Sequence, residues 1–162
     1  MDTELQHTEL NGVDDYIRAL DSLCTMAGRT LSIFEKDFDG LGFNSEARYD
    51  ALRRFLLASS INRLYLLAHD TRYLARDCPR MGMLLRQFSH SMQIYRTPPH
   101  MMNISEPFAV ADDAHYVRRF HFDDTRGIFA INDPHGARAL HSQFAEMWAA
   151  SRPGVSATTT GL

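Results

Sequence analysis

Apolar positions along this chain switch between two periods, and the switches mark out its elements. Val13, Ile17, Leu20, Cys24 and Ala27 recur at helical spacing before Gly28, which predicts a first helix. Thr30–Lys36 alternates and is rich in β-branched and aromatic side chains, which predicts a strand running into the turn-forming Asp37–Gly42. Asn44 or Ser45 caps a second helix running to about Ser59, with Ala47, Ala51, Phe55 and Ala58 on one face. Arg63–Ala68 is a nearly unbroken apolar run of the kind buried on both faces of a sheet.

Pro79 opens a further helix with Met83, Leu84 and Phe88 inward, and Met92–Tyr95 follows as a short strand. A loop from Thr97 to about Glu106 then precedes two strands, Phe108–Ala111 and Tyr116–Phe122, joined through Asp112–Asp113. After the polar turn 123–127 comes the strand Ile128–Ile131. Asp133-Pro134 then starts a helix whose stripe is Ala137, Leu140, Phe144 and Trp148. Early alternation of helix and strand implies parallel strands, and the later consecutive strands allow an antiparallel pair. The expectation is an α/β fold: a mixed, mostly parallel sheet of about six strands with helices on both faces. One domain spans 11–152, between a flexible lead at 1–10 and a tail at 153–162.

Composition sets bounds on function. The 162 residues suit one domain, and a net charge of -3 gives no electrostatic reason to expect a polyanion, so nucleic acid is an unlikely partner. Cys24 and Cys78 are too few for a disulfide framework or a zinc knuckle. The acidic start lacks a cationic lead into an apolar run, and no apolar stretch is long enough for a membrane span. A cytoplasmic chain is expected.

Candidate chemistry gathers at strand ends. His69, Asp70 and Arg72 follow a buried strand, where ligands bind in open α/β sheets, although Asp70 or Thr71 could equally cap the next turn. Arg118, Arg119 and His121 could contact a phosphate or carboxylate, or form salt bridges to Asp112, Asp113, Asp123 or Asp124. Glu35, Asp37 and Asp39 could be acid/base carboxylates, but turn chemistry explains them more simply. Gly40-x-Gly42 lacks the Lys and Ser/Thr of a phosphate loop. Neither His115/His121 nor His135/His141 has metal-ligand spacing, so no metal and no cofactor are expected.

The order of elements resembles one repeat of the phospholipase D-like superfamily, whose strand motif is His-x-Lys-x4-Asp. With Asp112 in the Asp position, Ser105 falls where the histidine belongs and Pro107 where the lysine belongs. Val117–His121 occupies the place of the small phosphate-contacting segment, and Ile128–Pro134 followed by Phe144 and Trp148 is similar to the closing strand and helix. The chain is also similar to a branch of short bacterial proteins of this type. The resemblance implies a scaffold that has lost the phosphodiesterase reaction, because serine and proline supply neither the imidazole nucleophile nor the cation. It implies a catalytically inactive binding or assembly module for a protein or small anionic ligand, with a homodimer plausible. The rival expectation is a phosphodiesterase or nuclease that uses His121 or His69 instead.

Overall fold

The computed structural model describes residues 4–157. Its elements are β1 (Gln6–Leu10), α1 (Val13–Met26), β2 (Thr30–Glu35), α2 (Glu46–Ala58), β3 (Arg63–Ala68), α3 (Arg72–Arg76), α4 (Pro79–Gln87), β4 (Met92–Arg96), β5 (Phe108–Ala111), β6 (His115–His121), β7 (Asp124–Ile131), α5 (Pro134–Ala149) and β8 (Arg152–Val155). A single 3-10 turn, Pro99–Met101, lies between β4 and β5.

All eight strands form one sheet in the order β1-β7-β6-β5-β2-β3-β4-β8. Only β2–β3 and β3–β4 pair in parallel, and the other five pairings are antiparallel. The sheet is therefore mixed, but the expectation of about six mostly parallel strands is wrong. Helical crossovers produce the parallel trio, whereas β5, β6 and β7 are joined by tight turns that must reverse the chain. The two further strands come from segments read as a lead and a tail: Gln6–Leu10 pairs with β7, and Arg152–Val155 pairs with β4. Residues 158–162 of the expected tail lie outside the described residues.

Strand alternation divides the core between two faces. Leu31 and Ile33 of β2, Leu64 and Leu66 of β3 and Ala109 of β5 share a cluster with Leu20 and Leu23 of α1, Leu52 and Phe55 of α2 and Leu84 of α4. Phe34, Leu67 and Phe108 point the other way, onto Phe144 and Met147 of α5. One inward assignment shifts: Met83 is exposed, and α4 buries Met81 and Leu85 beside the expected Leu84. Helix starts follow the expected caps, with Ser45 Oγ accepting from Arg48 N–H at 3.1 Å and Asp133 Oδ1 from Gly136 N–H at 3.1 Å.

Asp112 and Asp113 both have positive φ, 58° and 52°, and with Ala114 connect the strands of the β5–β6 hairpin, the Ala114 N–H donating to the Ala111 carbonyl at 3.0 Å. The Asp112 carboxylate accepts from the backbone N–H groups of Gly28, Arg29 and Thr30 at 2.7, 2.7 and 3.0 Å. It thus fastens the hairpin to the α1–β2 turn, which sets the register of β5 against β2.

Candidate functional site

The carboxyl ends of β2, β3 and β4, with the segment entering β5 and the end of β6, form the rim where the chemistry gathers. β3 delivers His69, which is buried. The Thr97 N–H donates to the Ala68 carbonyl at 3.0 Å and so brings its hydroxyl within 2.5 Å of His69 Nδ1. His69 Nε2 lies 2.6 Å from the Ile104 carbonyl, which can only accept, so Nε2 carries the proton and Nδ1 of the neutral ring accepts from Thr97. The edges of Phe34 and Phe122 close on the same ring at centroid distances of 5.1 and 5.5 Å. Both nitrogens of His69 are therefore occupied within the protein.

On the opposite face of the same end lies a buried trio, Tyr16, Glu35 and Arg119. The Tyr16 hydroxyl donates to Glu35 Oε2, and Arg119 Nη2 donates to Oε1 at 2.8 Å. The guanidinium sits 4.5 Å from the centre of the Tyr16 ring and also donates to the Phe122 carbonyl at 3.1 Å. Burial pushes the Glu35 carboxyl up to about 7, against the pull of Arg119, and the Tyr16 phenol is raised well above its usual range by burial and the facing carboxylate. Glu35 is a buried ion-pair partner and not a turn carboxylate.

The remaining candidates do not all converge. Arg72 closes a fork on Asp70, with Nη2 2.6 Å from Oδ2, and these hydrogen bonds hold the Asp70 carboxyl down at about 2. Arg118 lies 3.9 Å from Glu106, and His121 Nδ1 accepts from the Asp123 N–H at 3.0 Å. Of the acidic partners considered for Arg118, Arg119 and His121, only Asp123 meets one of them; Arg118 and Arg119 take Glu106 and Glu35 instead. Ser105 and Pro107 serve through their carbonyls, which accept from the N–H groups of Phe122 at 2.8 Å and Arg119 at 3.1 Å. A cavity of about 670 Å³ opens beside His69, lined by Arg96, Thr97, Pro98, Pro99, His100, Met102, Ala150 and Arg152. Among the described residues no group of His, Cys, Asp and Glu is placed to hold a metal ion, and no helix is long and apolar enough to cross a membrane.

Residues 12–157 match the model of a domain of unknown function, DUF7931. The chain belongs to the DUF7931 family. No curated protein matches it. Solved structures do: Nuc from Salmonella typhimurium, a phospholipase D family member, superimposes with a TM-score of 0.61 at 13% identity over 94% of this chain and 99% of its own. NucT from Helicobacter pylori gives 0.62 at 10% identity over 93% and 99%. TrmBL2, an archaeal chromatin protein whose structure shows a novel mode of DNA binding, gives 0.69 at 9% identity. This DUF7931 chain covers 94% of itself but only 55% of TrmBL2. At such identities the likeness is one of fold, and the fold is phospholipase D-like.

Sequence reasoning on this DUF7931 chain missed Tyr16 and Glu35 as partners of Arg119, and missed Arg96 and Arg152. Tyr16 and Glu35 carried a usable signal, since a tyrosine inside an amphipathic helix and a glutamate ending a buried strand each need a polar partner. Arg96 and Arg152 carried none, because their juxtaposition depends on the pairing of β8, whose residues 153–155 were read as tail.

Proposed function

We propose that this chain is a phospholipase D-like domain that binds a small anionic ligand, or assembles with a protein partner, without cleaving a phosphodiester. The observation that carries this reading is the state of the buried histidine at the floor of the cleft: His69 spends both ring nitrogens on Thr97 and Ile104, leaving no lone pair for phosphorus and no proton for a leaving group. Ser105 and Pro107, in the places the resemblance gives to histidine and lysine, add neither a nucleophile comparable to imidazole nor a cation. Arg119 is likewise committed to Glu35, and Asp70 with Arg72 to each other. Arg72, Arg118 and His121 all reach solvent, but Arg72 does so while held on Asp70, which leaves Arg118 and His121 as the exposed members outside that fork.

One observation favours the rival reading. His121 is half exposed, and with Nδ1 accepting a backbone N–H its Nε2 is the ring nitrogen left for proton transfer. The test pairs two measurements on purified protein. Inorganic pyrophosphate should raise the unfolding temperature in a saturable way, while bis-p-nitrophenyl phosphate should release no p-nitrophenolate above a buffer blank across metals and pH. No shift together with release that is lost in His121→Ala would replace the binding module with an enzyme. The DNA binding of TrmBL2 is not carried over, because a net charge of -3 offers no general attraction to a phosphate backbone. A homodimer belongs to the assembly form of the reading, and light scattering tests it.

A further inference from the structure

Arg96 and Arg152 stand directly opposite one another on the antiparallel β4–β8 ladder. Like charges in that position repel, and sheets ordinarily avoid them or place an acid beside them. Here neither guanidinium forms a hydrogen bond or ion pair with a described residue. The carboxylate whose acidity responds to Arg96, Asp70, is held by the fork of Arg72 at 2.6 and 3.0 Å. Both arginines are exposed, and both line the cavity of about 670 Å³ beside His69.

The rest of the lining fits an organic anion. His100 is exposed, and its ring makes no hydrogen bond to a described residue. Pro98, Pro99, Met102 and Ala150 give an apolar wall. The His69–Thr97 pair, already saturated, holds the floor rigid without offering it as a donor. The volume lies in the range of small-molecule sites, well beyond what a bare inorganic ion fills.

The number of donors selects the anion. A carboxylate carries a single negative charge on two oxygens, so between two facing guanidinium groups it leaves one positive charge uncompensated. A phosphodiester offers one charge and two free oxygens, whereas a phosphomonoester carries nearly two charges and three terminal oxygens, enough for two guanidinium groups. We propose that this cavity binds a small phosphomonoester, its phosphoryl group between Arg96 and Arg152 and its organic body against Pro98, Pro99 and Met102. This rests on the anion-binding reading above and assigns that reading a place and a ligand class.

Isothermal titration with p-nitrophenyl phosphate tests it, with bis-p-nitrophenyl phosphate, p-nitrobenzoate and inorganic phosphate as comparisons. The monoester should bind saturably and more tightly than each comparison. R96Q and R152Q should each weaken it tenfold or more, whereas R53Q, on the exposed face of α2, should not. The unliganded thermal midpoints of R96Q and R152Q should not fall below that of the wild type, since each removes one of two repelling charges. Equal binding by the wild type and both glutamine variants overturns the inference. Binding that survives in them but falls in Arg118→Ala also overturns it, and leaves the anion-binding function standing at another place. No saturable heat with the wild type removes the pocket assignment, and the pyrophosphate shift then decides the broader reading on its own.

Discussion

Replacing Arg119 with alanine removes the cation from a site that water does not reach: the side chains of Arg119 and Glu35 are 7% and 1% exposed, and their charged atoms are 2.8 Å apart. The attraction in such a pair is on the order of 5 kcal/mol at an effective dielectric constant of 20. Desolvation offsets most of that in the intact pair, but the variant keeps the cost of burying Glu35 and loses the compensation. Breaking a buried pair from one side costs about 3–5 kcal/mol. The carboxyl has an escape, because it is already raised to about 7 and without Arg119 rises further, so it protonates in mildly acidic solution. The loss should therefore be full near pH 8 and smaller near pH 5. For a domain of this size it corresponds to a fall in Tm of roughly 6–20 °C. Urea unfolding of wild type and Arg119→Ala, followed by circular dichroism at both pH values, measures it. A loss below about 1 kcal/mol, or one that is the same at both pH values, would refute the reasoning from burial and pairing.

The same carboxyl should shape the stability of the wild type. Glu35 releases its proton near 4.5 when unfolded and near 7 when folded, so between those values the folded chain holds more protons. Its contribution is thus greatest in acid and is lost as the pH rises through 7; Glu35→Gln should remove that slope from a series of unfolding curves. Asp112→Ala removes the acceptor of three backbone N–H groups and puts alanine at φ 58°, so it should cost about 2–4 kcal/mol in denaturant melts, with Asp112→Asn recovering part of the loss. Gly127→Ala would place a Cβ 2.0 Å from the Arg118 carbonyl oxygen, and the obstacle is backbone, so roughly 3 kcal/mol should be lost; an unchanged Tm would show that the β6–β7 ladder gives way easily.

The central elements of the fold were legible because their burial is strong and local. β3 is found at its predicted residues, and α2 begins after the expected Ser45 cap, because each is written in a contiguous pattern of apolar positions and end signals. The edges were not legible, for a physical reason. Of the β1 residues only Leu10 is buried, and β8 contains Pro153 and Gly154, so neither strand carries the alternation that a half-buried strand shows. β5 is reached through the long loop 97–107, and tight turns then reverse the chain into β6 and β7, with no helical crossover among them, which is why the sheet came out more antiparallel than the alternating first half suggested.

At the site the limits were different. The residue types at the strand ends could be picked out, but not their partners: Arg119 finds Glu35 84 residues away, across the sheet, instead of a nearby aspartate. Asp112, placed by resemblance in a motif, proves to be a backbone clamp whose three acceptor contacts reach back to residues 28–30. The Arg96–Arg152 juxtaposition needs the β4–β8 register before it exists at all.

Phosphorus NMR of bis-p-nitrophenyl phosphate mixed with the wild-type protein and with His121→Ala tests the central claim most directly, because it follows the diester and any product together. A diester resonance of constant intensity, with no monoester growing beside it, is the result expected of a scaffold that binds anions without cleaving them. A monoester resonance that grows with the wild type and not with His121→Ala would contradict that account.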